Sequence, residues 1–143
     1  MRIFYLIPLV LLVFACNCKK NSTQNKVTEP LMFRTLLTSQ NHGRDVQSNI
    51  VVNNQKDLDL LFKSVGNDDS PKVDFDKHQV VALFLGVRNT GGYSISVDRV
   101  EEVDNKIVVY SHVENPDGGM VTMAITNPFV IAEINSKKEI IFK

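Results

Sequence analysis

The sequence predicts a mainly β (α+β) protein: a small antiparallel β-sandwich or partly closed barrel with one α-helix, placed after an N-terminal signal and tether. Three observations point there. Short apolar runs rich in β-branched residues recur roughly every ten residues, with turn-forming residues between them. One stretch alone shows helical spacing, with Leu58, Leu61, Phe62 and Val65 at i, i+3, i+4 and i+7. The first fifteen residues follow neither pattern, running apolar almost without interruption after Arg2.

Each element follows from its residues. Leu31–Thr38 is a first strand, and Ser39–Arg44 a loop. Ile50-Val51-Val52 is a second strand, β-branched throughout. The helix then starts at a cap supplied by Asn53 or Asn54, with Asp57 and Asp59 suited to the positive end of its dipole. Lys63 suits its last turn, and Gly66 ends it. Asn67–Asp76 is a polar, acidic loop containing Pro71. Val80–Gly86 is apolar without alternation, which predicts a central strand buried on both faces. Tyr93, Ile95 and Val97 alternate with Ser94, Ser96 and Asp98, the period of a half-buried strand. Val103-Asp104-Asn105-Lys106 is a tight hairpin turn, because Asp and Asn tolerate positive φ, and Ile107–Val113 is its returning strand. Asn115–Gly119 turns again. Met120–Ile125 is expected to form a strand, Thr126-Asn127-Pro128 to break it, and Phe129–Ile134 to resume. Asn135–Lys137 turns into a last strand, Lys138–Phe142.

The chain divides into three parts. Residues 1–15 have a basic start, an apolar stretch too short to span a bilayer and a small terminal residue, as in a secretory signal. Val13-Phe14-Ala15-Cys16 resembles a bacterial lipobox, which implies lipidation of Cys16 and a lipid anchor in the cell envelope. Residues 16–29 are polar and form a tether, and 30–143 form the β-rich domain. Both cysteines, Cys16 and Cys18, stand at the junction, so the core of the domain has to supply its stability without disulfides.

Charge narrows the partners. Sixteen basic residues balance sixteen acidic ones, and no basic surplus serves nucleic acid. The histidines, His42, His78 and His112, share no spacing, and no nucleophile elbow or cysteine nucleophile lies in the domain. His78 stands near Asp74 and Asp76, but zinc-type spacings are missing, so those residues read as a solvated loop. Gly91-Gly92 precedes a strand rather than a helix, which speaks against a phosphate cradle. No catalytic residues, cofactor, metal or small-molecule substrate are expected. The remaining candidate is Asn89-Thr90-Gly91-Gly92-Tyr93, after the most buried strand. It reads either as a corner locked by its tyrosine or as an exposed loop that recognises a protein partner.

Val80–Gly86 followed by Thr90-Gly91-Gly92-Tyr93-Ser94-Ile95 resembles the C-terminal domain of the protease complex subunit PrcB family. Asn115-Pro116-Asp117-Gly118, Thr126-Asn127-Pro128-Phe129, the helix from Asp57 to Phe62 and Asp74-Phe75-Asp76 fit the same layout. The resemblance covers about 79–135 closely and 32–142 loosely. It implies an exported or lipid-anchored domain that associates with an exported protease, stabilises it and has no catalytic residues. A second resemblance is to chagasin-type protease inhibitors, through Asn89–Tyr93, and it implies direct inhibition as the alternative. That loop lacks the proline of the inhibitors and has Gly91 where they have threonine.

Overall fold

The computed structural model describes residues 31–119 and 122–143. The signal, Cys16, Cys18 and the tether lie outside the described residues. The element order is β1 (Phe33–Ser39), β2 (Ser48–Val52), α1 (Gln55–Ser64), β3 (Gln79–Phe84), β4 (Ser94–Val103), β5 (Lys106–Glu114), β6 (Phe129–Ile134) and β7 (Ile140–Phe142). Two sheets form, ordered β1-β6-β3-β2 and β4-β5-β7. Among the described residues the fold is therefore sandwich-like and mainly β with one helix, and no barrel closes.

Every residue of β3 and of β6 is buried. Their alternation sends successive side chains into two separate cores. Val81, Leu83, Val130, Ala132 and Ile134 face the second sheet and meet Ile95, Val97, Val100, Ile107 and Val109. Val80, Ala82, Phe84, Phe129 and Ile131 face the other way and receive Leu58, Leu61, Phe62 and Val65 of α1. The layers thus run helix, four-stranded sheet, three-stranded sheet. Phe84 and Phe129 are register partners on the helix side, and their rings stack with centroids 5.7 Å apart.

Local chemistry sets the element ends. Asn54 caps α1 with an extended backbone, its side chain accepting the Asp57 N–H at 2.9 Å. Gly66 leaves the helix at φ +76, which releases the chain into its acidic loop. Asp104 and Asn105 both take positive φ, at 50 and 63, and close the β4–β5 hairpin as their residue types predict.

Three expectations need correction. Thr122–Ile125 forms no strand, and Met120 and Val121 lie outside the described residues. Met123 is 91% exposed and Ile125 70%, so this alternation buries nothing. The chain here runs beside residues 88–91, joined to them by an isolated bridge between Arg88 and Thr126, by the Thr126 hydroxyl on the Thr90 carbonyl and by a bond from Gly91 to Thr122. Nor are the pairings all antiparallel, since β7 joins β5 in parallel. Between β6 and β7 the chain crosses from one sheet to the other, and the buried Gln79 amide donates to the carbonyls of Ser136 and Lys138 at 2.9 and 2.8 Å along that crossing. Tyr93, expected to open the fourth strand, sits one residue before it.

Phe129→Ala is expected to cost about 3–5 kcal/mol, because it empties the stacked site on the helix side. Asn54→Ala is expected to cost about 1 kcal/mol through loss of the cap. Urea unfolding monitored by circular dichroism measures both.

Candidate functional site

Three turns that lie far apart in sequence meet at one corner. The first is the β3–β4 connection. Leu85 donates its N–H to the Pro128 carbonyl at 2.9 Å, and Gly86 takes φ +80. Arg88 and Thr126 exchange backbone hydrogen bonds at 2.8 and 2.9 Å, and the Thr126 hydroxyl donates to the Thr90 carbonyl at 3.0 Å. The Gly91 N–H donates to the Thr122 carbonyl at 3.0 Å. A Cβ on Gly92, whose φ is +89, would lie 2.9 Å from Cβ of Pro116. Thr90–Tyr93, Asn115–Gly118 and Thr126–Phe129 are therefore one structural unit. Asn127 ties it to the β1–β2 loop, donating its N–H to the Gln40 carbonyl and its amide Nδ2 to Asp45.

Each sequence-predicted site residue has a distinct place in the corner. Asn89 and Gly92 are exposed, Thr90 is half-buried, and Gly91 is buried against Thr122. Tyr93 is half-buried, packs on the core between the sheets and lies under the Arg88 guanidinium, 5.6 Å from its ring centroid. The corner walls one side of a groove of about 930 Å³. Gly91 and Gly92 face His112 and Glu114 at the end of β5, with Pro116, Asp117 and Thr122 completing it. The Ser94 hydroxyl donates to Glu114 at 2.8 Å. The groove brings one imidazole and two carboxylates beside backbone left bare by glycine. Such an arrangement can hold an extended polypeptide by its amides and its side chains. Among the described residues no group of three or more His, Cys, Asp or Glu side chains is placed to hold a metal.

Sequence reasoning missed a second polar cluster. Glu133, in β6, stands opposite Arg34 of β1 and Val80 of β3. Arg34 donates to its carboxylate from Nε at 3.0 Å, and His78 Nδ1 also bonds it. Burial raises the Glu133 pKa, but the hydrogen bonds from Arg34 and His78 outweigh it and hold the carboxyl below the usual range. His78 thus pairs with Glu133 and leaves the loop carboxylates to other partners. Asp74 bridges Lys77 at 3.1 Å and accepts the Asp76 N–H at 3.2 Å. A charged residue inside an otherwise apolar run, Phe-Val-Ile-Ala-Glu-Ile, was the available signal, since a buried carboxylate needs partners.

Residues 79–135 match the family model described as PrcB C-terminal. The matched stretch runs from the start of β3 to the end of β6 and contains all three turns of the corner. No curated protein matches the chain, and no solved structure matches it.

Gly92→Ala is expected to destabilise by about 1–2 kcal/mol through its left-handed backbone alone, and by more where Pro116 resists. The thermal midpoint of the variant checks this. Glu133 titrates lower in the folded chain than in the unfolded one, whose ordinary value is 4.5. Its stabilisation is thus complete above that value and fades as pH falls through the lower, folded one. Glu133→Gln is expected to cost about 1–3 kcal/mol at neutral pH and to flatten this acid limb. Denaturant midpoints across an acid pH series test both parts.

Proposed function

We propose, from the match of residues 79–135 to the PrcB C-terminal family model, that the chain is a non-catalytic accessory protein of an exported protease. Domains of this family are in general accessory rather than catalytic. In this reading the protein is anchored to a membrane of the bacterial cell envelope through lipid on Cys16. The tether over 16–29 lets the domain stand off that membrane. The domain holds the protease through the groove beside Asn89–Tyr93 and stabilises it.

The single observation that carries the reading is that the glycines after β3 and the turn after β5, both within the family-matched stretch, line one groove. The core needs only the buried part of that corner. Asn89, Gly92, His112, Glu114 and Asp117 are left facing outward, where polypeptide can reach them. Chagasin-like inhibition is the weaker reading. Gly91 is buried and bonded to Thr122, so the middle of the loop is held against the domain.

Crosslinking in the native envelope tests the partner. The expected capture is an exported protease, whose level falls when this protein is deleted. The crosslink is expected to weaken in a variant combining Asn89→Ala with Asp117→Ala. An unchanged protease level and an unchanged crosslink would defeat the proposal. Stoichiometric slowing of papain-like proteases would instead favour inhibition. Cys16→Ser is expected to remove the lipid mass and release the protein from the membrane fraction, and continued membrane retention would refute the anchor.

A further inference from the structure

Sheet edges leave backbone donors and acceptors open, and proteins usually guard them with charge, proline, bulges or brevity. Four strands lie at edges here: β1, β2, β4 and β7. β1 has Arg34 and a register break between Thr35 and Leu37. β4 has Asp98, Arg99, Glu101 and Glu102, with a break between Val97 and Arg99. β7 is three residues long. β2 has none of these guards. It reads Ser-Asn-Ile-Val-Val and pairs with β3 in unbroken register from Ser48↔Phe84 to Val52↔Val80. Among the described residues, apart from the pairing with β3 no backbone hydrogen bond reaches residues 48–52.

The ground beside this edge is also apolar. A groove of about 250 Å³ runs between β2 and α1, walled by Ile50, Val51 and Leu60. Leu60 is 57% exposed, and Val46, just before the strand, is 75% exposed. Arg44 lines the groove over the Phe84 ring, 5.0 Å from its centroid, which places it at the Ser48 end of β2. Asp57 lines it from the first turn of α1, beyond the Val52 end. Asp57 accepts from the Asn54 amide at 2.7 Å and retains acceptor capacity.

We propose that β2 is the seam of a two-fold homodimer. β2 of a second copy adds antiparallel and joins the two four-stranded sheets into one, with both α1 helices on the same side. The choice of a second copy rests on charge order. A two-fold axis at Ile50 sets Ser48 of one chain opposite Val52 of the other. It thereby brings each Arg44 to the end where the other chain holds Asp57. One symmetry operation makes two opposite-charge pairings, as a self-complementary interface requires. Five residues of strand are short against the roughly 1,200–2,000 Å² that stable interfaces bury. Leu60 and Val46 of both copies add the apolar area that the strands lack.

The test is the mass of the full chain in detergent, by sedimentation across a concentration series. The wild type is expected to reach about twice the monomer mass as concentration rises. Asn49 is exposed on β2, and a lysine there guards the edge without touching the core. Asn49→Lys and Leu60→Lys are each expected to raise the dimer dissociation constant by about tenfold or more with the thermal midpoint unchanged. Amide exchange in the wild type is expected to slow over residues 48–52 as the dimer forms. A wild type monomeric at every concentration overturns the proposal, whether or not a partner's strand then occupies the edge. A dimer unaffected by both substitutions, or one that leaves the exchange of 48–52 unchanged, overturns it as well.

Discussion

Gln79–Phe84 and Phe129–Ile134 pair residue by residue in the middle of the four-stranded sheet, and neither strand keeps a face in water. Their two faces are the floors of two cores, one roofed by the second sheet and one by α1. A domain this small buries little surface relative to its size, so a strand pair that serves two cores is an economical way to stability without disulfides. The arrangement also explains the helix. A single amphipathic stripe from Leu58 to Val65 suffices because it has one face of one sheet to cover.

The same strand pair positions the candidate site. β3 and β6 are register partners up to Phe84 and Phe129, so the chain leaving β3 and the chain entering β6 are side by side. Leu85 bonds Pro128, Arg88 bonds Thr126, and Thr90 receives the Thr126 hydroxyl in turn. The corner is thus a continuation of the core pairing past the end of the sheet. Gly92 then meets Pro116, which draws the turn after β5 into the same place. A recognition surface built this way is held by the most buried element in the molecule, and its exposed atoms inherit that rigidity.

The buried side chains of Glu133 and Gln79 are answered locally. Glu133 points to the helix side of β6, where Arg34 of β1 and His78, just before β3, meet it. Gln79, at the start of β3, spends its amide on the chain crossing between sheets. These contacts lie at the opposite end of β3 and β6 from the corner, so each end of the central pair is closed by hydrogen bonds of its own.

Much of the fold was legible because it depends on local periodicity. The unbroken apolar run of Val80–Gly86 predicted burial on both faces, the Leu58–Val65 stripe predicted the helix, and Asp104-Asn105 predicted the hairpin. The same reasoning misread Thr122–Ile125, whose apolar side chains Met123 and Ile125 stay exposed. For the site, the loop at Asn89–Tyr93 was visible from its glycines, whereas its partners in the groove were not. His112, Glu114 and Asp117 come from a strand and a turn about twenty residues further on, and no spacing rule links them to Gly91. His78 was read against its sequence neighbours, and it is the register of β6 that gives it Glu133. The sequence by itself therefore determined the helix, the hairpin turn and most of the strands, because those choices rest on each residue's own conformational and solvation preferences. Only the tertiary structure decided that β7 runs parallel to β5, that three turns share one corner and that β2 ends as the unguarded edge, because each of these depends on which distant segments the two cores bring together.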